Sequence, residues 1–255
     1  MIRENKVKKM IKEGKTALGT FVKITDPASM EVLCMSGLDF VIVDNEHTSM
    51  SKETMVNLVR ASEIYDVPCI IRVRESDPNQ ILQALDSGAL GVQVPAINTV
   101  ADAKSAAMSS KYKPEGNRGY TASQRAAGYG IIPPAEYAMK ANENIMTICY
   151  CETKEALDNL DEMVKIEGID VIFIGPYDLS QALGVTGNPS HDIVQKAIEV
   201  IIEKTTKSGK QVGILAADGE QAKYYNQKGI NFIVMNSDTS MIYKGVRQYI
   251  SQFKG

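Results

Sequence analysis

Eight short apolar runs, each followed by a stretch of helical length and period, limit the folds open to this chain more than any other feature. The runs are 17–22 (ALGTFV), 39–43 (DFVIV), 68–73 (PCIIRV), 90–94 (LGVQV), 145–151 (IMTICYC), 170–174 (DVIFI), 211–215 (QVGIL) and 231–236 (NFIVMN). Several are nearly continuous in apolar residues, as strands covered on both faces are. Helical patterns occupy 27–36, 51–66, 77–87, 99–109, 153–166, 191–208, 218–228 and 238 to about 252. Pro27, Ser51 and Asp77-Pro78 open helices, and Gly37, Gly88, Gly168, Gly209 and Gly229 close them. Repeated strand–helix units make a parallel α/β sheet, and eight of them predict a closed (β/α)8 TIM barrel, one domain over 1–255. The length of 255 residues fits, because such barrels run to about 250. An open doubly wound sheet would want a glycine-rich turn after its first strand. Lys23-Ile24-Thr25-Asp26-Pro27 is not one.

Composition narrows the function classes. The 28 basic and 31 acidic residues are well mixed, so no basic stripe points to nucleic acid. The first ten residues form a charged helix opening without the apolar core of a signal peptide, and no apolar run is long enough to span a bilayer. Cys34, Cys69, Cys149 and Cys151 show no CxxC spacing and are expected to be reduced packing residues of a cytoplasmic protein. Only two histidines exist, neither beside a cysteine pair, which argues against structural zinc. One irregular stretch, 110–135, holds four Gly and three Pro. Long loops in compact domains are functional or disordered, and its place between strands four and five predicts an active-site flap.

Barrel chemistry sits where strands end. Those ends carry Lys23, Asp44-Asn45-Glu46-His47, Arg72 with Arg74, Gln93, Tyr150 with Glu152, Gly175-Pro176-Tyr177-Asp178, Asp218 and Asn236-Ser237-Asp238. His47 stands beside two acids, and a carboxylate three residues away could orient its imidazole; the plainer alternative is a solvated turn. His191, at a helix start, reads as a surface residue. Arg72 suits either a salt bridge with rim acids or the clamping of a carboxylate or enolate oxygen, with Arg74 as the solvated member of the pair. Glu152 and Asp178 end adjacent strands and could share one hard cation. Alternatively Asp178 is a helix N-cap and Glu152 a first-turn acid. Gly175-Pro176 would present backbone N–H groups to a substrate carboxylate.

Together these residues resemble the metal-dependent class II 2-oxo-acid aldolases, typified by 4-hydroxy-2-oxoheptanedioate aldolase and the 2-keto-3-deoxy-sugar-acid aldolases of the aldolase/citrate lyase superfamily. The likeness runs from Gly19-Thr20 through Asp44-Asn45-Glu46-His47, Arg72, Leu85-Asp86-Ser87-Gly88-Ala89, Val94-Pro95 and Pro114-Glu115-Gly116-Asn117-Arg118-Gly119. It continues through Glu152-Thr153, Gly168-Ile169-Asp170 and Ile174-Gly175-Pro176-Tyr177-Asp178-Leu179-Ser180, and ends at Gly213-Ile214-Leu215-Ala216 and Asp238-Thr239.

The resemblance implies a barrel of the phosphoenolpyruvate/pyruvate-domain type. Its last helix would be exchanged between subunits of a homohexamer. By the same resemblance Glu152 and Asp178 are ligands of Mg2+, Mn2+ or Co2+, His47 is the base, Asp44 its paired acid, and Arg72 contacts the pyruvyl oxygen. Asp86 matches an acid near a subunit interface that serves substrate binding. Small-molecule substrates, a 2-oxo acid and an aldehyde, are implied. The activity implied is cleavage or formation of the C3–C4 bond of a 4-hydroxy-2-oxo acid.

Four departures surround the expected site: Asn45, Thr48, Tyr177 and Tyr150, the last where many members carry glutamine. Tyr150 is expected to tune the substrate. Alternatives are a Schiff-base aldolase using Lys23, a citrate-lyase-like enzyme acting on an acyl thioester, and a non-catalytic sugar-acid binding protein.

Overall fold

The computed structural model describes residues 3–255; Met1 and Ile2 of the opening segment lie outside them. Eight parallel strands close a barrel in sequence order: β1 Ala17–Val22, β2 Phe40–Asp44, β3 Cys69–Arg72, β4 Gly91–Val94, β5 Met146–Cys151, β6 Val171–Ile174, β7 Gln211–Ala216 and β8 Phe232–Ser237. All eight fall on the apolar runs. The glycines expected to end helices all take positive φ, the conformation that costs a residue without Cβ least.

Side chains alternate across each strand, which splits the core in two. Val41, Val43, Ile71, Val92, Val94, Cys149 and Ile172 pack outward against the helices. Phe40, Ile42, Ile70, Ile148, Tyr150, Phe173 and Phe232 fill the barrel. Phe40 stacks on Phe232 with ring centroids 4.3 Å apart, and Phe173 meets Phe232 edge-on. These rings need room: a Cβ on Gly213 would lie 2.6 Å from Phe173. The helix α1 (Lys6–Lys12) sends Val7 and Ile11 into the same interior cluster, closing the end where the strands begin.

The helices of the repeat are α2 (Pro27–Met35), α3 (Lys52–Ile64), α4 (Pro78–Asp86), α5 (Val100–Ser110), α7 (Lys154–Met163), α9 (Asp192–Lys207), α10 (Gly219–Gln227) and α11 (Asp238–Lys254). Two further helices, α6 (Pro134–Asn144) and α8 (Pro176–Ala182), were not expected. In α11 only Asp238 is buried, while Ile242, Val246, Tyr249, Ile250 and Phe253 are exposed along the helix.

The 110–135 segment does not reach the rim of its own barrel. It does not leave a strand's C-terminal end, because α5 first carries the chain back to the opposite face. There Lys111 donates to the Ile145 carbonyl at the start of β5, and Arg118 pairs with Asp86 at the end of α4 at 2.7 Å. A 3-10 turn at Arg125–Gly130 follows, with Arg125 bonded to Glu63. The segment packs on the side and base of the barrel, and both its ends lie away from the rim.

Candidate active site

A cavity of about 190 Å3 opens at the C-terminal ends of the strands, lined by Lys23, His47, Arg72, Tyr150, Gly175, Pro176, Tyr177 and Asp178 together with Phe21, Phe173, Leu215, Asn236 and Ser237. Period two explains this lining. Phe21 and Lys23, Asp44, Arg72, Tyr150 and Glu152 continue the inward-facing series above the aromatic floor.

Arg72 is the hub. Its Nε donates to Asp44 Oδ1 at 3.0 Å and its Nη2 meets Asp44 Oδ2 at 2.8 Å, the bidentate geometry a guanidinium favours. Nη1 meets Glu46 Oε2 at 2.8 Å and donates to the Tyr150 hydroxyl at 3.1 Å. The guanidinium lies 4.5 Å from the Phe21 ring centroid, a cation–π placement. Burial would raise the carboxyl pKa of the fully buried Asp44, but the Arg72 guanidinium outweighs burial and holds it low. Arg72 itself is held firmly charged: burial opposes the cation, and Tyr150, Asp44 and Glu46 more than compensate. Burial raises Glu46, against the pull of Arg72.

The structure separates two roles the sequence had joined. Asp44 Oδ1 accepts the backbone N–H groups of Glu46 and His47, each at 3.2 Å, and does not hold the His47 imidazole. A spacing of three inside a tight turn brings amides back onto the acid. The carboxylate that reaches the imidazole is Glu46, 3.7 Å from Nε2, and the His47 side chain is 58% exposed. Lys23 Nζ also lies 3.3 Å from Asp44 Oδ2. Arg74 is the exposed arginine, donating to the Asn45 carbonyl, and His191 caps α9 at the surface.

Glu152 and Asp178 converge. A Cβ added to Gly175 would lie 2.8 Å from Glu152 Oε2 and 3.3 Å from Asp178 Oδ2, so both carboxylates border the space over that glycine. Glu152 is nine-tenths buried and precedes the Thr153 cap of α7, and is not a first-turn acid; its Oε1 accepts the Ala96 N–H at 3.0 Å. Ala96 takes φ 52° just after Pro95, a turn that no sequence signal marked. Gly175 caps α8, and Asp178 belongs to its first turn and is not the N-cap. Burial lifts the Glu152 pKa to about 7; the Ala96 amide opposes this and the Asp178 charge adds to it.

Asp86 is not part of this cavity. It ends α4 at the opposite end of the barrel, paired with Arg118. Among the residues the sequence had not assigned, Glu46 and Phe21 frame Arg72, and Asp238 Oδ2 accepts the Lys23 and Ile24 amides to fix the end of β1. Glu46 could have been found from its place beside His47, and Phe21 from its two-residue offset to Lys23.

Comparison with known proteins identifies relatives of this chain in sequence and in fold. The family described as HpcH/HpaI aldolase/citrate lyase matches residues 17–244. The chain is 34% identical over 251 residues to a 4-hydroxy-2-oxo-heptane-1,7-dioate aldolase of Shigella sonnei, covering 98% of this chain and 95% of that one. It is 34% identical to a hydroxypyruvate/pyruvate aldolase of Pseudomonas aeruginosa, covering 98% and 93%. Among solved structures, an HpcH/HpaI aldolase/citrate lyase family protein from Burkholderia cenocepacia superposes with a TM-score of 0.93 at 26% identity, covering 98% and 100%. The citrate synthase SbnG does so at 0.89 and 30%, covering 97% and 96%. In sequence over nearly its whole length, and in fold, the chain belongs to the HpcH/HpaI aldolase/citrate lyase family.

Proposed function

We propose that this protein is a divalent-metal-dependent aldolase that cleaves or forms the C3–C4 bond of a 4-hydroxy-2-oxo acid, yielding pyruvate and an aldehyde. Two relatives carry aldolase names, and both align with almost the whole chain. The observation that carries the metal reading is the convergence of Glu152 Oε2 and Asp178 Oδ2 on Gly175, which lines the same cavity as Arg72. The donor set fits a hard cation. Mg2+ or Mn2+ is commonly held by one or two carboxylates, with substrate and water completing an octahedron. Among the described residues no third His, Cys, Asp or Glu joins the pair, which leaves that share to the 2-oxo acid. Bound there, Mg2+, Mn2+ or Co2+ would supply Lewis-acid stabilisation of the charge that develops on the 2-oxo oxygen.

The remaining steps belong to side chains. Arg72 places a fixed positive charge at the pyruvyl end of the cavity. His47 accepts the 4-hydroxyl proton as the C3–C4 bond breaks. The bonding pair passes into the pyruvyl enolate and C4 becomes the aldehyde carbonyl. Asp44 serves this base at one remove, fixing the turn that carries it through the Glu46 and His47 amides. Tyr150, Pro176 and Tyr177 shape the wall that meets the substrate.

The apolar exposed side of α11 supports assembly of copies, in our reading a hexamer in the cytoplasm with that helix exchanged. Asp86 would then contact substrate only in a neighbour's cavity, because its own lies at the other end of the barrel.

The decisive experiment is chelation followed by return of Mg2+, Mn2+ or Co2+ while aldehydes are offered with pyruvate. Full turnover in rigorously metal-free protein would refute the metal reading. Inactivation by borohydride with pyruvate would instead favour a Schiff base on Lys23, an amine that faces Asp44 at 3.3 Å and is one-third exposed. The likeness to a citrate synthase favours a second reading, in which an acyl thioester replaces pyruvate as the enolate donor. Turnover of a thioester but not of pyruvate would establish it.

A further inference from the structure

Arg72 is crowded by acids. A guanidinium has five N–H donors. Here Nε and one Nη2 hydrogen go to Asp44, and the two Nη1 hydrogens go to Glu46 and the Tyr150 hydroxyl. One face of the group is covered by Phe21. What the cavity meets beside this cation is therefore largely the phenol of Tyr150.

That phenol has a defined polarity. Its oxygen accepts from Arg72 at 3.1 Å, so its own proton points elsewhere. Among the described residues it donates to no group. Tyr150 is 2% exposed, and its ring is held against Phe173 at 4.9 Å between centroids. The side chain nevertheless borders the cavity, on the strand face it shares with Glu152. A buried hydroxyl proton finds an acceptor, and here the cavity offers the place for one.

We propose that the Tyr150 hydroxyl, backed by Arg72, donates the hydrogen bond to the pyruvyl 2-oxo oxygen as that oxygen gains negative charge. Tyr150 is then a catalytic residue, and the guanidinium acts in part through it. No bond to hydrogen is broken at Tyr150. The donation strengthens as the ketone becomes an enolate, because a donor polarised by a neighbouring cation binds a charged oxygen better than a neutral one. The assignment rests on the reading above that a pyruvyl group occupies this cavity.

Tyr150→Phe keeps the ring and removes only the hydroxyl, leaving the floor of the site in place. Two measurements suffice: deuterium exchange into the pyruvate methyl group followed by NMR, and calorimetric binding of pyruvate and of oxalate, a planar dianion resembling the enolate. In Tyr150→Phe, exchange should slow by about 10²–10³-fold, the scale for losing one oxyanion donor. Oxalate should weaken at least tenfold more than pyruvate, as differential binding of the charged form requires. Tyr150→Gln, whose amide can donate, should recover most of both. In the unaltered enzyme, oxalate should shift the Tyr150 ring carbon that bears oxygen, a check that needs no variant. Exchange and oxalate affinity within threefold of wild type in Tyr150→Phe would overturn the proposal, and so would equal weakening of pyruvate and oxalate. A wild-type enzyme that neither exchanges nor binds pyruvate would overturn the pyruvyl reading itself, and this assignment with it.

Discussion

Replacing Gly175 by alanine tests the proposed metal pair with little disturbance to the barrel. Gly175 has φ −97° and ψ 92°, which alanine adopts freely, so the backbone is not strained. The new Cβ would stand 2.8 Å from Glu152 Oε2 and 3.3 Å from Asp178 Oδ2, too close for the first and tight for the second. Both are ends of flexible side chains and can swing away. Glu152 cannot do so for nothing, because its other oxygen is held by the Ala96 amide at 3.0 Å. Losing that bond costs about 1 kcal/mol, and overpacking a filled site costs about 1–3 kcal/mol. The side chain either swings or stays, so one of these costs applies and stability should fall by about 1–3 kcal/mol, a Tm decrease of about 2–12 °C at about 2–4 °C per kcal/mol. Cation affinity should fall about 10–100-fold, as displaced ligand geometry does elsewhere, equivalent to about 1.4–2.7 kcal/mol. Calorimetric titration with Mn2+ and a thermal melt of the same two proteins separate the effects. A Mn2+ affinity within twofold of wild type would show that the carboxylates over Gly175 do not form the metal site.

His47→Ala should lose carbon–carbon cleavage by about a hundredfold or more, the scale for a positioned base, while Mn2+ titrates as in wild type; an unchanged kcat, or loss of the metal, would refute the assignment. Sedimentation should find a multimer, and charged residues at Ile242 and Ile250 on α11 should dissociate it; a fully active monomer at assay concentration would contradict the reading of that helix.

The strands could be read from sequence because each is buried on both faces, so apolar runs such as 39–43 and 170–174 leave little ambiguity. What was missed was short or disguised. Helix α8 spans only seven residues, and α6 starts at Pro134, after the Pro133 cap, in a segment that reads as irregular. The starting point of 110–135 was hidden for a topological reason: a helix after a strand returns the chain to the far side of a barrel, so that a loop after α5 begins there. Within the site, inward-facing positions followed from counting by twos along strands. Turns resisted that counting. Between Asp44 and His47 the backbone folds so that amides and not the imidazole meet the acid, and at Ala96 a positive φ without glycine aims an N–H at Glu152.

The rings of Phe40, Phe173 and Phe232 divide the barrel into two economies. Below them, close packing ties each side chain to several others, and a change in one forces changes in its neighbours. Above them, Lys23, Tyr177 and Asn236 face a cavity and have fewer such ties. Substrate preference can thus drift, or be engineered, by exchanging those three positions singly, with the lineage never passing through an unfolded ancestor. New specificities should arise on this scaffold by small steps at the mouth while its lower half stays unchanged.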